Sequence, residues 1–252
     1  YPEYGKDGSK LSYWAIDFGV MSGTSNAYAG TTQTSCGPGW SRSDTNNFSA
    51  TAIGVSRSEQ TGNNESKIYS LNGFWGKHAH NYSNTLTATG YQENKSSWGI
   101  SPFYQQNWEH IGVGVGFTAG DFSQITFEDN LSPSHSKNLS IYPAFSLRAG
   151  RLQEVFFEYR FANQFPTPYP ALIHQFSVGG SVGKHGGVFR IGTGSNAGFF
   201  LAPSFTFGNH FTIETFASFG SGIIFKNSGA DDFSNNMLMI NARYKLGQKE
   251  KR

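Results

Sequence analysis

Along most of its length the chain alternates bulky apolar residues with small or polar ones, in runs of about ten residues closed by clusters of Gly, Asn, Asp, Ser and Pro. From Leu139 to Arg148 one set holds Leu139, Ile141, Pro143, Phe145 and Leu147, and the other Ser140, Tyr142, Ala144, Ser146 and Arg148. Successive side chains on a strand point to opposite faces, so this run is a ribbon with one apolar and one polar side. Val155 to Phe161 repeats it, with Val155, Phe157, Tyr159 and Phe161 opposite Phe156, Glu158 and Arg160. So does Phe199 to Phe207, with Phe199, Leu201, Pro203, Phe205 and Phe207 opposite Ala202, Ser204 and Thr206. His110 to Phe117 sets Ile111, Val113, Val115 and Phe117 against three glycines. The pattern predicts strands near 11–22, 27–34, 46–58, 66–76, 84–92, 97–107, 110–123, 138–149, 154–165, 171–183, 186–195, 198–207, 210–222 and 235–246. That is about fourteen, with twelve as the alternative; the segment 27–34 is the least regular.

Composition decides what the two faces meet. Only 14% of the 252 residues are charged, against about 25% in an average soluble protein. Glycine contributes 31 residues and aromatics 16% of the chain. That mixture disfavours a coiled coil, and so many aromatics disfavour disorder. The face opposite the bulky one is built of Gly, Ala, Ser, Thr and Asn with a thin set of charges, unlike the Lys- and Glu-rich exterior of a soluble sheet. Turning the bulky face outward into lipid and the small polar face inward gives a transmembrane barrel. A soluble lipocalin-like barrel, with its apolar face inside, is the rival fold.

On segments such as Phe199 to Phe207, the aromatics near strand ends and the near-absence of helix, the sequence resembles the bacterial outer-membrane β-barrel proteins as a class. The resemblance implies an all-β fold: one antiparallel transmembrane barrel spanning 1–252, with 1–10 as an N-terminal periplasmic segment and 247–252 as a charged tail. It also implies an outer-membrane location and short periplasmic turns with longer extracellular loops. Turns at 107–109, 150–153, 183–185 and 208–210 are tight, whereas 124–137, 166–170 and 226–234 are longer. The links 36–45 and 77–83 are long for periplasmic turns. The start Tyr1-Pro2-Glu3-Tyr4, without Met, reads as a chain from which a signal peptide has been removed.

Candidate chemistry is thin. Barrel lipid A deacylases resemble one another in a His-x-Ser-Asn-Ala-Gly run, and Thr193-Gly194-Ser195-Asn196-Ala197-Gly198 lacks the histidine that would activate the serine. Barrel phospholipases resemble a Ser-His-Asn arrangement, which His135, Ser136 and Asn138 match only as loop neighbours. His78 and His80 have no further ligand close by, and Glu128, Asp129, Asp231 and Asp232 fit no calcium-loop spacing. Asn94-Lys95-Ser96 reads as an Asn- and Ser-rich loop and Cys36 as a turn residue. The single cysteine excludes an internal disulfide framework. A net charge of +2 without a basic cluster gives no case for nucleic acid. The sequence therefore predicts a non-enzymatic barrel without cofactor or metal, whose partners are outer-membrane lipid, a small polar solute or another envelope protein.

The period of two also assigns charges to the inner face: Asp17, Arg148, Glu158, Arg160, Arg190, Glu214, Arg243 and Lys245. Either they line a pore for small polar solutes, mainly with cations, or they close the lumen with salt bridges in a structural or accessory subunit of an envelope complex. An enzyme acting on lipid is the remaining reading. The final strand has Leu238, Ile240, Ala242, Tyr244 and Leu246 outside and Met239, Asn241, Arg243 and Lys245 inside, and is expected to pair with 11–22. Many bacterial barrels resemble one another in ending on an aromatic residue; here Tyr244 and Leu246 precede a Lys- and Arg-rich end.

Overall fold

Alternating, β-branched and aromatic-rich runs with no helical period form strands, and strands immersed in hydrocarbon must pair on both sides. The structure, a computed structural model, describes residues 10–34, 37–62, 65–85, 89–121, 124–126, 134–136, 139–151, 154–163, 172–182, 187–194, 198–208, 210–220 and 232–251. The strands are β1 (Lys10–Thr34), β2 (Gly37–Gly62), β3 (Glu65–Asn84), β4 (Thr89–Asn107), β5 (Ile111–Asp121), β6 (Gln124–Thr126) and β7 (Ser134–Ser136). They continue with β8 (Leu139–Gly150), β9 (Val155–Asn163), β10 (Leu172–Val182), β11 (Gly187–Gly194), β12 (Gly198–Phe207), β13 (Phe211–Phe219) and β14 (Asp232–Lys251). All but β6 and β7 close into one antiparallel barrel of twelve strands, with β5 beside β8 and β14 beside β1. β6 and β7 form a separate hairpin in the link between β5 and β8.

Twelve strands replace the fourteen expected first, and the alternative count is the correct one. The segments 11–22 and 27–34 are one continuous strand, β1, and 84–92 and 97–107 largely merge into β4. Positions 37–45 and 77–83, expected as turns, are strand within β2 and β3. Their polar residues stand on ladders extending past the apolar belt, as in Asn47↔Ala79 and Ser43↔Ser83. The end expected as a tail is likewise strand as far as Lys251, with Lys249 opposite Ser12 and Glu250 opposite Leu11.

Links at the rim carrying residues 10 and 251 are short, and the longest links, 122–138 and 220–231, lie at the opposite rim. This is the asymmetry of outer-membrane barrels, with the short-turn rim periplasmic. There, Gly150 adopts φ +104 so that the chain can turn back from β8. A Cβ at that position would also stand 2.4 Å from the Val155 carbonyl oxygen. Arg151 bridges two periplasmic turns, 3.1 Å from Glu154 and 2.6 Å from Glu109. The hydrogen bond to Glu154, helped by both carboxylates' charges, raises its pKa.

The bulky residues face outward. Leu139, Ile141, Val155, Phe157 and Ile53 are more than half exposed, and Trp14, Phe18, Leu71, Phe205, Phe207, Leu238 and Ile240 are also exposed. A soluble barrel would enclose these side chains, so the lipocalin-like alternative is set aside. On β3 the outward set reads Lys67, Tyr69, Leu71, Gly73, Trp75, Lys77. Ten residues at about 3.3 Å each, tilted by about 40°, span about 25 Å, the height of an outer-membrane apolar belt. Trp75 faces its register partner Trp98 at the upper margin, and Trp14 and Tyr69 mark the lower one.

The inner face carries more than small polar groups. Phe48, Phe74, Phe156 and Phe200 stand directly opposite Gly23, Gly99, Gly179 and Gly192 on neighbouring strands. A Cβ would lie 2.4 Å from the ring at Gly23, Gly99 and Gly179 and 2.7 Å at Gly192, so each glycine leaves the ring its resting place. Phe48, Phe200, Ala202, Phe216 and Met237 form a buried cluster in the lumen, flanked by Met21 and Met239.

The closing pair β1 and β14 is in register from Trp14↔Leu246 to Tyr28↔Asp232, as expected for the final strand. This register predicts that Gly19→Cys with Asn241→Cys, in a Cys36→Ser background, oxidises to a disulfide, because the two are partners. The boiled, unreduced chain should migrate faster on denaturing gels. Gly19→Cys with Leu238→Cys, which places the thiols on opposite faces, should not cross-link.

Candidate functional site

The inward face of β8 to β14 and β1 brings charged residues from distant parts of the chain onto one wall of the lumen. Arg190 on β11 is buried, and its guanidinium reaches across a strand in each direction. Its Nη1 lies 3.3 Å from Glu158 Oε2 on β9 and its Nη2 lies 2.8 Å from Glu214 Oε1 on β13. Both intervening strands place a small residue beneath it: Gly179 of β10 and Ala202 of β12 are its register partners. A Cβ on Gly179 would come within 2.9 Å of Arg190 Cγ as well as striking the Phe156 ring. Glu158 is also 3.1 Å from Arg160 Nε on its own strand, giving a continuous chain Arg160, Glu158, Arg190, Glu214.

A second pair sits on the closing seam. Asp17 and Arg243 are register partners, with Arg243 Nε 2.6 Å from Asp17 Oδ1. Ser56 Oγ of β2 donates to the other oxygen, Oδ2, at 2.8 Å. Among the described residues, the strands that close the barrel backbone also share the shortest inward ion pair.

The remaining two cations lie toward the periplasmic rim. Arg148 is buried; it donates to the Trp108 carbonyl at 3.1 Å, to Asn107 Oδ1 at 3.5 Å and to the Gly150 carbonyl. Asn107 in turn accepts from Gln105 at 2.9 Å and donates to Ser66 Oγ at 3.3 Å. Gly112, whose Cβ would stand 2.6 Å from Asn107 Oδ1, leaves room for this layer. Lys245 is buried with its Nζ 5.4 Å from the centre of the Tyr13 ring.

Each of the eight charged residues singled out from the sequence thus has an inward position, and six of them join the two ion-paired groups. What sequence reasoning missed is the partner set. Arg190 pairs two strands away on either side, which the period of two does not reveal. The signal available was a small residue at the facing position of each neighbouring strand. The buried Phe and Met layer was also missed, although Phe156 was on the inner set.

Most other sequence candidates fall outside the described residues. Ser195, Asn196 and Ala197 lie outside the described residues, as do Asn138, Glu128, Asp129, Asp231 and Cys36. His135 and Ser136 stand on β7, opposite Ile125 and Gln124. His78 and His80 are on β3, and their side chains are outside what is described. Among the described residues no group of three His, Cys, Asp or Glu side chains is placed to hold a metal ion.

Glu158→Ala removes one of the carboxylates that Arg190 holds and the carboxylate beside Arg160. Loss of one member of a buried pair costs about 3–5 kcal/mol. The expected result is a clear fall in the urea midpoint of the folded barrel. Arg160→Ala, at the solvated end of the chain, should shift stability by less than about 1 kcal/mol.

No known protein family matches the sequence, and no curated protein matches it. Among solved structures the fold is similar to the CymD monoaromatic hydrocarbon channel, with 10% identity, a TM-score of 0.43, and coverage of 92% of this chain and 88% of that one. It is similar to the Ralstonia pickettii toluene transporter TbuX at 10% identity and a TM-score of 0.41, covering 96% and 90%. The β domain of the Bordetella autotransporter BrkA gives 9% identity and a TM-score of 0.36, covering 95% and 99%. With identities and scores of this size, the outer-membrane barrel architecture rests on the chain's own strand order, closure and outward apolar belt.

Proposed function

We propose that the barrel passes or binds small polar solutes, with the ion-paired wall as its narrowest polar surface. One observation carries this reading. Along the same chain of charges the centre is dry and the ends are wet: Glu158 is 0% and Arg190 4% exposed in the side chain, whereas Arg160 keeps 36% and Glu214 25%. Arg243 keeps 21% beside Asp17. Side chains that face inward and still meet solvent support a lumen that holds water against fixed charges. The ion-paired wall balances three cations against three anions, and Arg148 and Lys245 toward the periplasmic rim add two cations, so these eight charges together favour anions over cations. Sites of this kind select by charge as well as width.

A second reading has its own support. The Phe48, Phe200, Phe216 and Met237 cluster occupies lumen space, which suits a plugged barrel serving as anchor or accessory subunit to another envelope protein. A closed scaffold and a conduit differ in one measurable property. Purified barrel in a planar bilayer should give discrete conductance steps with a preference for chloride over potassium. Arg160→Glu should move the reversal potential toward cation preference. A correctly folded barrel that gives no steps overturns the passage reading in favour of the anchor.

A further inference from the structure

On the outer wall, residues of β1 to β5 line an open hollow of about 430 Å3. Its origin is Pro102. Proline has no N–H for the ladder, and the pairing of β4 with β5 skips from Ile100↔Ala119 to Phe103↔Gly116. Through this interruption the inward residues Phe103 and Gly116 form part of the floor, while Trp14, Tyr69, Leu71 and Val115 form the sides. A smooth barrel surface offers lipid a convex face; this stretch is concave and apolar.

The hollow ends at a charged margin. Arg57 is the register partner of both Trp14 and Tyr69, and its guanidinium lies 5.2 Å from the centre of the Trp14 ring. Lys67 follows on β3, two residues below Tyr69 on the same outward side. Glu59, which pairs with Arg57 and stands opposite Lys67, offsets one of these two charges. Tyr104 Oη donates to Gln106 Oε1 at 2.9 Å beside it. Aromatic rings that meet cations and polar groups in this order mark the level of lipid headgroups, and the short-turn rim places that level in the periplasmic leaflet.

We propose that this hollow is a binding site for one glycerophospholipid of the periplasmic leaflet. An acyl chain lies in the concavity at Pro102, and the anionic headgroup sits against Arg57 and Lys67. The charge complementarity at the margin selects the headgroup, and the interrupted ladder creates the space for the chain. The site faces lipid, so it is independent of whether the lumen conducts.

Native mass spectrometry of the purified full chain, titrated with phosphatidylglycerol or with phosphatidylcholine of the same acyl chains, tests this. The barrel should hold one lipid well ahead of any others. It should prefer phosphatidylglycerol about fivefold, corresponding to about 1 kcal/mol from one net cation near a headgroup. Leu71→Trp, which fills the hollow from its lipid-facing side, should remove the first-bound lipid of either kind. Arg57→Gln with Lys67→Gln should keep one lipid but lose the preference. Heat-modifiable mobility shows that each variant is folded, and Ile191→Trp on β11, at the far wall of the ring, controls for added bulk. A wild-type barrel that takes up lipids in an even series without a first site, or that shows no headgroup preference, overturns the proposal. So does a folded Leu71→Trp barrel that keeps its first lipid.

Discussion

In hydrocarbon a peptide group has no water to turn to, so every backbone donor and acceptor in the span must find a partner within the chain. The pairing of β1 with β14 meets that requirement, joining residues more than two hundred positions apart at Asp17 and Arg243. Once the ring is closed, the period of two leaves each side chain one of two destinations, lipid or lumen. The outward apolar belt and the inward charges are two results of the same closure. A charged side chain facing lipid costs up to about 2–4 kcal/mol at mid-depth, less for a carboxylate, so the inward position of Asp17 is favoured before any function is considered.

Within the ring, volume is the next constraint. A barrel of twelve strands lies between those filled by side chains and those that leave a channel. Rings laid over Gly23, Gly179 and Gly192 thicken part of the wall. The Arg190 side chain lies across Gly179 and is bonded at both ends, so it too follows the wall. Small residues on one strand thus allow large residues on the next to lie flat. Glycine is therefore a packing partner here as well as a turn residue.

The alternation made most of this legible in the sequence. Leu139, Ile141, Phe157, Phe205 and Leu238 could be assigned outward because neighbours on each strand agree with one another, and the inward charges followed from the same parity. The strand count was less legible. Residues such as Ser43, Thr45, His80 and Asn94 have the composition of turns, yet they are held as strand by partners on adjacent strands, in the pairs Ser43↔Ser83 and Ala79↔Asn94. Local propensity gives way there to ladder hydrogen bonds that no single segment records. The charge network was half legible for a related reason: the face of Arg190 follows from its own strand, but its partners depend on register across four others. The effect of Pro102 appears only where β5 must pair around it.

The four strands β1 to β4 continue well above the upper tryptophan level, whereas the pairing of β14 with β1 stops at Tyr28 and that of β5 with β4 stops at Trp98. Beyond those points the strands form a polar palisade along one third of the circumference, held together by their own ladders. Because the palisade's ladders run only among β1 to β4, substitutions in its outer reaches change what the cell surface presents without touching a residue of the lipid-facing belt or of the pairing between β1 and β14 below Tyr28.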